Sequence, residues 1–173
     1  SGGLMLIGGT AWVHMLGIDG TFVAGGLMAD ESISKATAWG LLALLMVGVG
    51  VKSAVMPLHG WLPSAMVAPT PVSALLHAVA VVKAGVFGVV RMIVFVFGAE
   101  LLREMDAWQV IAVLAAATLL IGSMLALRHD NLKRRLAYST ISHLSYIVLG
   151  VALLGPIALT GALLHIVGHG VTK

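Results

Sequence analysis

The chain has 173 residues, is 60% hydrophobic and 10% charged, and carries a formal net charge of +3 with a mean hydropathy of +1.06. A soluble domain carries about 25% charged residues, so this composition excludes an ordinary water-soluble globule and indicates an integral membrane protein in contact with the lipid bilayer. The basic residues form no stripe, which sets nucleic acid aside. The lack of cysteine excludes disulfides, thiolate metal sites and iron–sulfur clusters, so any linked redox chemistry sits on another subunit.

Six apolar runs follow one another, at residues 2–17, 36–56, 72–97, 110–127, 136–154 and 157–173. Each meets or approaches the roughly 20-residue span of a membrane helix, and none shows the period-2 alternation of a barrel strand. The expected fold is all-α: a polytopic membrane helix bundle forming one membrane domain over residues 1–173. Its glycine content suits helices packed closely in lipid. The chain opens directly on apolar sequence and stops at Lys173 in mid-pattern, so it is expected to be a fragment of a longer chain.

The linkers orient the bundle. The one after the first run holds Asp19, Asp30, Glu31 and Lys35, and the one after the third holds Glu100, Arg103, Glu104 and Asp106; both are acidic on balance. The loop at 128–135 is strongly basic. Alternating topology puts it on the opposite face, which the positive-inside rule makes cytoplasmic, at a prokaryotic inner membrane. Between the second and third runs, residues 56–71 carry Pro57, Pro63 and Trp61 but no charge. A helix broken at membrane depth near Lys52–Pro57 and an ordinary interfacial turn anchored by Trp61 fit that composition equally.

Two lysines lie inside apolar runs. Lys52 is near the end of the second, where its stem can snorkel to the interface or its amine can serve as a buried proton-exchanging group. Lys83 lies about eleven residues from either end of the third, roughly 16 Å at 1.5 Å per residue, which is far to snorkel. Intramembrane charge is costly and marks an ion or proton path by default, the bland alternative being a static paired charge. His77 precedes Lys83 by six residues, about 120° away around the helix, and read alone it is a satisfied core group.

In the sixth run, His165, His169 and Lys173 are spaced i, i+4, i+8 and share one stripe. Imidazoles titrate near neutrality, which suits a proton relay. A zinc pair is the competing reading, disfavoured because no third ligand is visible. Ser139, Ser142, His143, Ser145 and Tyr146 form a polar patch early in the fifth run. It reads equally as a hydrated way in from the basic loop or as helix-packing polarity. His14, His59 and His129 lie near ends or loops and need no special role. There is no nucleophile–base pair, cofactor motif or complete metal set, so neither a catalytic site, a cofactor nor a metal is expected.

Five stretches in order, residues 52–63 (KSAVMPLHGWLP), 68–77 (APTPVSALLH), 82–91 (VKAGVFGVVR), 130–142 (DNLKRRLAYSTIS) and 165–173 (HIVGHGVTK), resemble the proton-translocating antiporter-like family. Its members are large membrane subunits of respiratory complex I, of membrane-bound hydrogenases and of Mrp-type cation/proton antiporters. The resemblance implies a subunit of about fourteen helices built from inverted repeats, of which this chain would cover the sixth to eleventh. It favours the broken helix. It implies proton-pathway roles for Lys52 at the break, for Lys83 and His77 on the next helix, and for His165, His169 and Lys173 on a central polar axis. The family's partner carboxylates would fall outside the chain, and the acidic residue common after Trp-Leu-Pro is Ser64 here.

The expected function is proton translocation through a Lys/His hydrated path that includes His143, in a redox-driven pump with other membrane subunits as partners. The alternative is Na⁺/H⁺ antiport of Mrp type; the context of Lys83, Gly85 and Phe87 resembles the hydrogenase and Mrp branches more than the long complex I subunit. A non-transporting membrane scaffold is the reading from another class. It requires that no Lys or His titrate between about pH 5 and 9.

Overall fold

The computed structural model describes residues 2–18, 26, 28, 33–74 and 81–172, and every regular element among them is helical. The expectations placed on Asp19, Asp30, Glu31, His77 and Lys173 lie outside the described residues.

The first apolar run forms α1 (Gly2–Met15) and the second α2 (Lys35–Ser53). The Ser34 side chain caps α2 by accepting from the Thr37 amide at 3.2 Å. Two residues past Lys52, Ala54 takes a left-handed conformation at φ 55° and ends the helix. A short α3 (Trp61–Ser64) resumes after a turn containing a cis Met56–Pro57 bond, then comes a 3₁₀ turn, Ala65–Val67, and α4 (Thr70–Ala74). The chain is thus broken directly after Lys52, and the backbone groups freed there find partners. Val51 O accepts from Trp61 Nε1 at 2.6 Å, Gly50 O accepts from the Val55 amide at 3.1 Å, and the Met56 amide donates to Thr118 Oγ1 at 3.3 Å. Trp61, expected from sequence to anchor at the interface, here donates to the broken end of α2.

The third run continues as α5 (Val81–Arg91), which widens into a π-helical turn, Met92–Phe97, and ends at Gly98 with φ 75°. Then come α6 (Ala99–Glu104), α7 (Ala107–Arg128), α8 (Leu132–Ala152) and α9 (Pro156–Thr172). Two linkers differ from their sequence reading. Glu100, Arg103 and Glu104 are helical, on α6, and Lys133, Arg134 and Arg135 occupy the first turns of α8 rather than a loop. The reason in the second case is local: Asn131 Oδ1 accepts from the Lys133 and Arg134 amides at 3.0 and 3.3 Å. Hydropathy marks where apolar surface begins, whereas a cap marks where the helix begins.

Neighbouring helices pack in pairs: α1 on α2, α2 on α5, α7 on α8 and α8 on α9. The core between them holds Leu41, Leu45, Val82, Val86, Val89, Ile93, Ile141, Leu144 and Ile147, all buried. Lys35 Nζ donates to Glu104 O at 3.5 Å and an Arg103 Nη to Leu154 O at 3.0 Å, which gathers the start of α2, the end of α6 and the α8–α9 turn at one end. At the other end Lys133 Nζ donates to Ala68 O at 3.3 Å. Among the described residues α2 and α7 have both the length and the hydropathy of a membrane span, and α9 is a shorter apolar helix. Val113, Leu120, Met124 and Leu127 of α7 and Ile157, Leu164, Val167 and Val171 of α9 face outward, uncovered by this chain.

Candidate functional site

Lys52 sits in the last turn of α2 with its side chain exposed. Gly85 of α5 lies directly on the backbone there: a Cβ at Gly85 would stand 2.5 Å from Ser53 N and 2.6 Å from Lys52 C. Only a residue without a side chain permits this approach, so α5 crosses α2 backbone to backbone at the helix break. Two residues before the crossing, half-buried Lys83 reaches the other way, to α9. Its Nζ occupies the place a Cβ on Gly170 would take. One helix thus touches the Lys52 backbone with its glycine and the histidine helix with its lysine.

Gly170 follows His169, which is buried at 4% exposure. One turn back on α9 is His165, with the two ring centroids 6.3 Å apart and nearly parallel at 19°. Across on α8, His143 faces both: its centroid is 5.4 Å from that of His165 and 5.3 Å from that of His169. His143 Nδ1 and His165 Nε2 are 3.3 Å apart, within hydrogen-bond reach. Tyr146, one turn after His143, places its ring 6.0 Å from His165. The residues brought together are therefore Lys83, His169, His165 and His143, with the Lys52 backbone on the far side of α5.

Two open cavities meet at His143. A cleft of about 440 Å³ runs from Arg135 past Ser139, Ser142 and Ser123 to His143 and Tyr146. A groove of about 500 Å³ runs along α9 past His143, Gly161, His165, Gly168, His169 and Thr172. The residues of the polar patch divide between a cleft and a helix contact. Ser139, Ser142, His143 and Tyr146 line the cleft, whereas Ser145 is buried and donates to Ile141 O at 2.9 Å, away from it. Ser142 does both, since its hydroxyl also bonds Ser123 Oγ at 2.8 Å and Leu119 O at 3.1 Å across the α7–α8 contact.

Sequence reasoning named Gly85 only as context for Lys83 and did not single out Gly170; the signal for both packing roles was a small residue close to a candidate lysine or histidine. It also passed over His59 and His129. His129 stacks on Tyr138 at 5.0 Å and 8°, and His59 lies 6.2 Å from the same ring, beside the basic end of α8. Among the described residues no three His, Asp or Glu side chains are arranged to hold a metal ion.

The whole chain, residues 1–173, matches the family described as NADH:quinone oxidoreductase/Mrp antiporter, TM. It is 44% identical over 149 residues to a probable K⁺/H⁺ antiporter protein of Rhizobium meliloti, covering 85% of this chain and 14% of the relative. It is 45% identical over 130 residues to a chloroplastic NAD(P)H-quinone oxidoreductase subunit 5 of Adiantum capillus-veneris, covering 75% of this chain and 17% of the relative. The chain therefore spans less than a fifth of the length of these curated relatives. Among solved structures, it is similar to a chain of the Mrp complex from Dietzia sp. DQ12-45-1b, with a TM-score of 0.77, 33% identity, 96% of this chain and 19% of that chain covered. It is also similar to a chain of the membrane-bound sulfane sulfur reductase, an archaeal respiratory membrane complex, with a TM-score of 0.81, 26% identity, 98% of this chain and 34% of that chain covered.

Proposed function

Because the chain belongs to the NADH:quinone oxidoreductase/Mrp antiporter transmembrane family, we propose that it moves protons across a membrane along a line of Lys52, Lys83, His169, His165 and His143. The resemblance assigns His77 and Lys173 to the same pathway, and both lie outside the described residues. The observation that carries this reading is the contact of Lys83 with α9 beside His169, continued by the 3.3 Å His143–His165 approach. Three imidazoles with ring centroids 5.3–6.3 Å apart, an amine seated against the same helix at Gly170, and a polar cleft at His143 are the parts of a proton relay. The cleft from Arg135 to His143 supplies water access from the basic end, which is the cytoplasmic face in this reading. The break after Lys52 leaves that amine at a helix terminus rather than in a continuous wall of apolar residues.

The chain acts as one membrane domain, its six runs each a span, within a longer subunit of a multisubunit redox-driven pump. In the parent complex, Lys83→Ala and Lys52→Ala are expected to abolish or strongly reduce coupled proton movement, measured as protons moved per electron pair in sealed vesicles. Unchanged stoichiometry in both variants refutes the route.

Antiport is the second reading, Na⁺ or another monovalent cation exchanging for H⁺. It is favoured by the likeness to the Rhizobium antiporter protein and to the Dietzia Mrp chain. Cation-dependent pH change in vesicles without any electron donor selects it over the pump.

A further inference from the structure

His143 Nδ1 and His165 Nε2 face each other across α8 and α9 at 3.3 Å. One proton shared between them makes a hydrogen bond. A zinc ion about 2.0–2.1 Å from each nitrogen in tetrahedral geometry sets the two nitrogens about 3.3–3.4 Å apart as well. The backbone spacing that suits the shared proton therefore also suits a metal bridge, once both rings rotate to turn their lone pairs toward one point off the line between the nitrogens. The rings are inclined by only 21°, and the His169 ring stands 5.3 Å from His143.

The surroundings favour a particular class of ion. The pair opens on the α9 groove, whose walls are otherwise Gly161, Gly168, Leu164 and Thr172, so there is room for waters in the remaining coordination positions. No carboxylate lines the groove. Two imidazoles without carboxylate suit zinc and its neighbours rather than Ca²⁺ or Mg²⁺, which require oxygen ligands.

We propose that His143 and His165 form a binding site for Zn²⁺, completed by water with His169 alongside, and that bound zinc closes the α9 groove. His143 ligates through Nδ1 with its proton on Nε2; His165 ligates through Nε2 with its proton on Nδ1. In the neutral pair the proton between the rings is the sole proton of one ring and passes through water to that ring's outer nitrogen, so both inner nitrogens offer lone pairs to the metal. Binding stands independently of the proton route proposed above, whereas the blockade rests on it.

The test uses the purified parent complex equilibrated with ZnCl₂, washed and assayed for metal content. The wild type retains one zinc per complex more than His143→Gln or His165→Gln; equal zinc content in all three overturns the site. His143→Cys keeps a ligand at that position, and Co²⁺ then shows a thiolate-to-cobalt charge-transfer band; its absence overturns the site even if the glutamine variants do not assemble. Zinc added to wild-type vesicles stops proton movement. Binding without that loss leaves the site in place and overturns the blockade, and it counts against the proton route separately.

Discussion

Gly85→Ala adds a single methyl group at the point where α5 rests on the broken end of α2. The methyl carbon would lie 2.5 Å from Ser53 N, 2.6 Å from Lys52 C and 2.8 Å from Lys52 Cβ. Two of these three are backbone atoms, so no side chain can swing aside. Ordinary contact begins near 3.4 Å, and α5 must back away by close to 1 Å. Overpacking of this kind costs about 1–3 kcal/mol. The intrinsic helix preference runs the other way, since alanine is better than glycine by about 0.8–1.0 kcal/mol in a helix interior. A net loss therefore isolates the contact from propensity.

The functional consequence is larger than the stability one. Lys83 is two residues from Gly85 on the same helix, and its ammonium already touches Gly170 on α9. A shift near 1 Å in a positioned reacting group can lower a rate by about 100-fold. The assay is proton movement into inverted vesicles bearing the parent complex, normalised to assembled complex on native gels. Gly85→Ala is expected to assemble in reduced amount and to move protons far more slowly per complex than the wild type. An alanine variant that assembles fully and transports at the wild-type rate would refute the claim that this crossing sets the lysine positions.

Two further predictions concern the supports of the site. Trp61→Phe keeps the aromatic bulk but removes the shorter of the two donors to Val51 O, leaving only the Ala54 amide at 3.4 Å, and Thr118→Val removes the acceptor of the Met56 amide. Each is expected to cost about 1–3 kcal/mol and to lower the unfolding temperature of the solubilised complex, with no change in either variant counting against the bonding assigned to the break. Asn131→Ala removes the cap of α8 and is expected to cost about 1 kcal/mol. Hydrogen exchange at Lys133 and Arg134 should then rise, while unchanged protection would mean that the cap contributes nothing.

Some of this was legible residue by residue. Lys52 and Lys83 stand out because charge inside an apolar run has few explanations. The His165–His169 spacing follows from helix periodicity. The break followed from Pro57 and Pro63 only together with the resemblance, since the same residues suit a turn outside the membrane. The start of α8 was misplaced because Lys133, Arg134 and Arg135 are polar yet helical, held by the Asn131 side chain. His143 was visible as part of a polar patch. Which of its neighbours face a cleft and which face a helix depends on rotation about α8, and composition is nearly blind to that.

Composition by itself placed this chain in a membrane, and the lack of period-2 alternation then left helices rather than a closed barrel as the way to satisfy a backbone in lipid. Periodicity determined which titratable groups share a helix. Tertiary structure decided which helices those groups meet. His143 reaches His165, and Lys83 reaches α9, through contacts between residues 22 and 87 positions apart in the chain. Such contacts depend on how closely two elements approach, and Lys83 reaches α9 because Gly170 has no side chain in the way, an absence that a sequence pattern does not register.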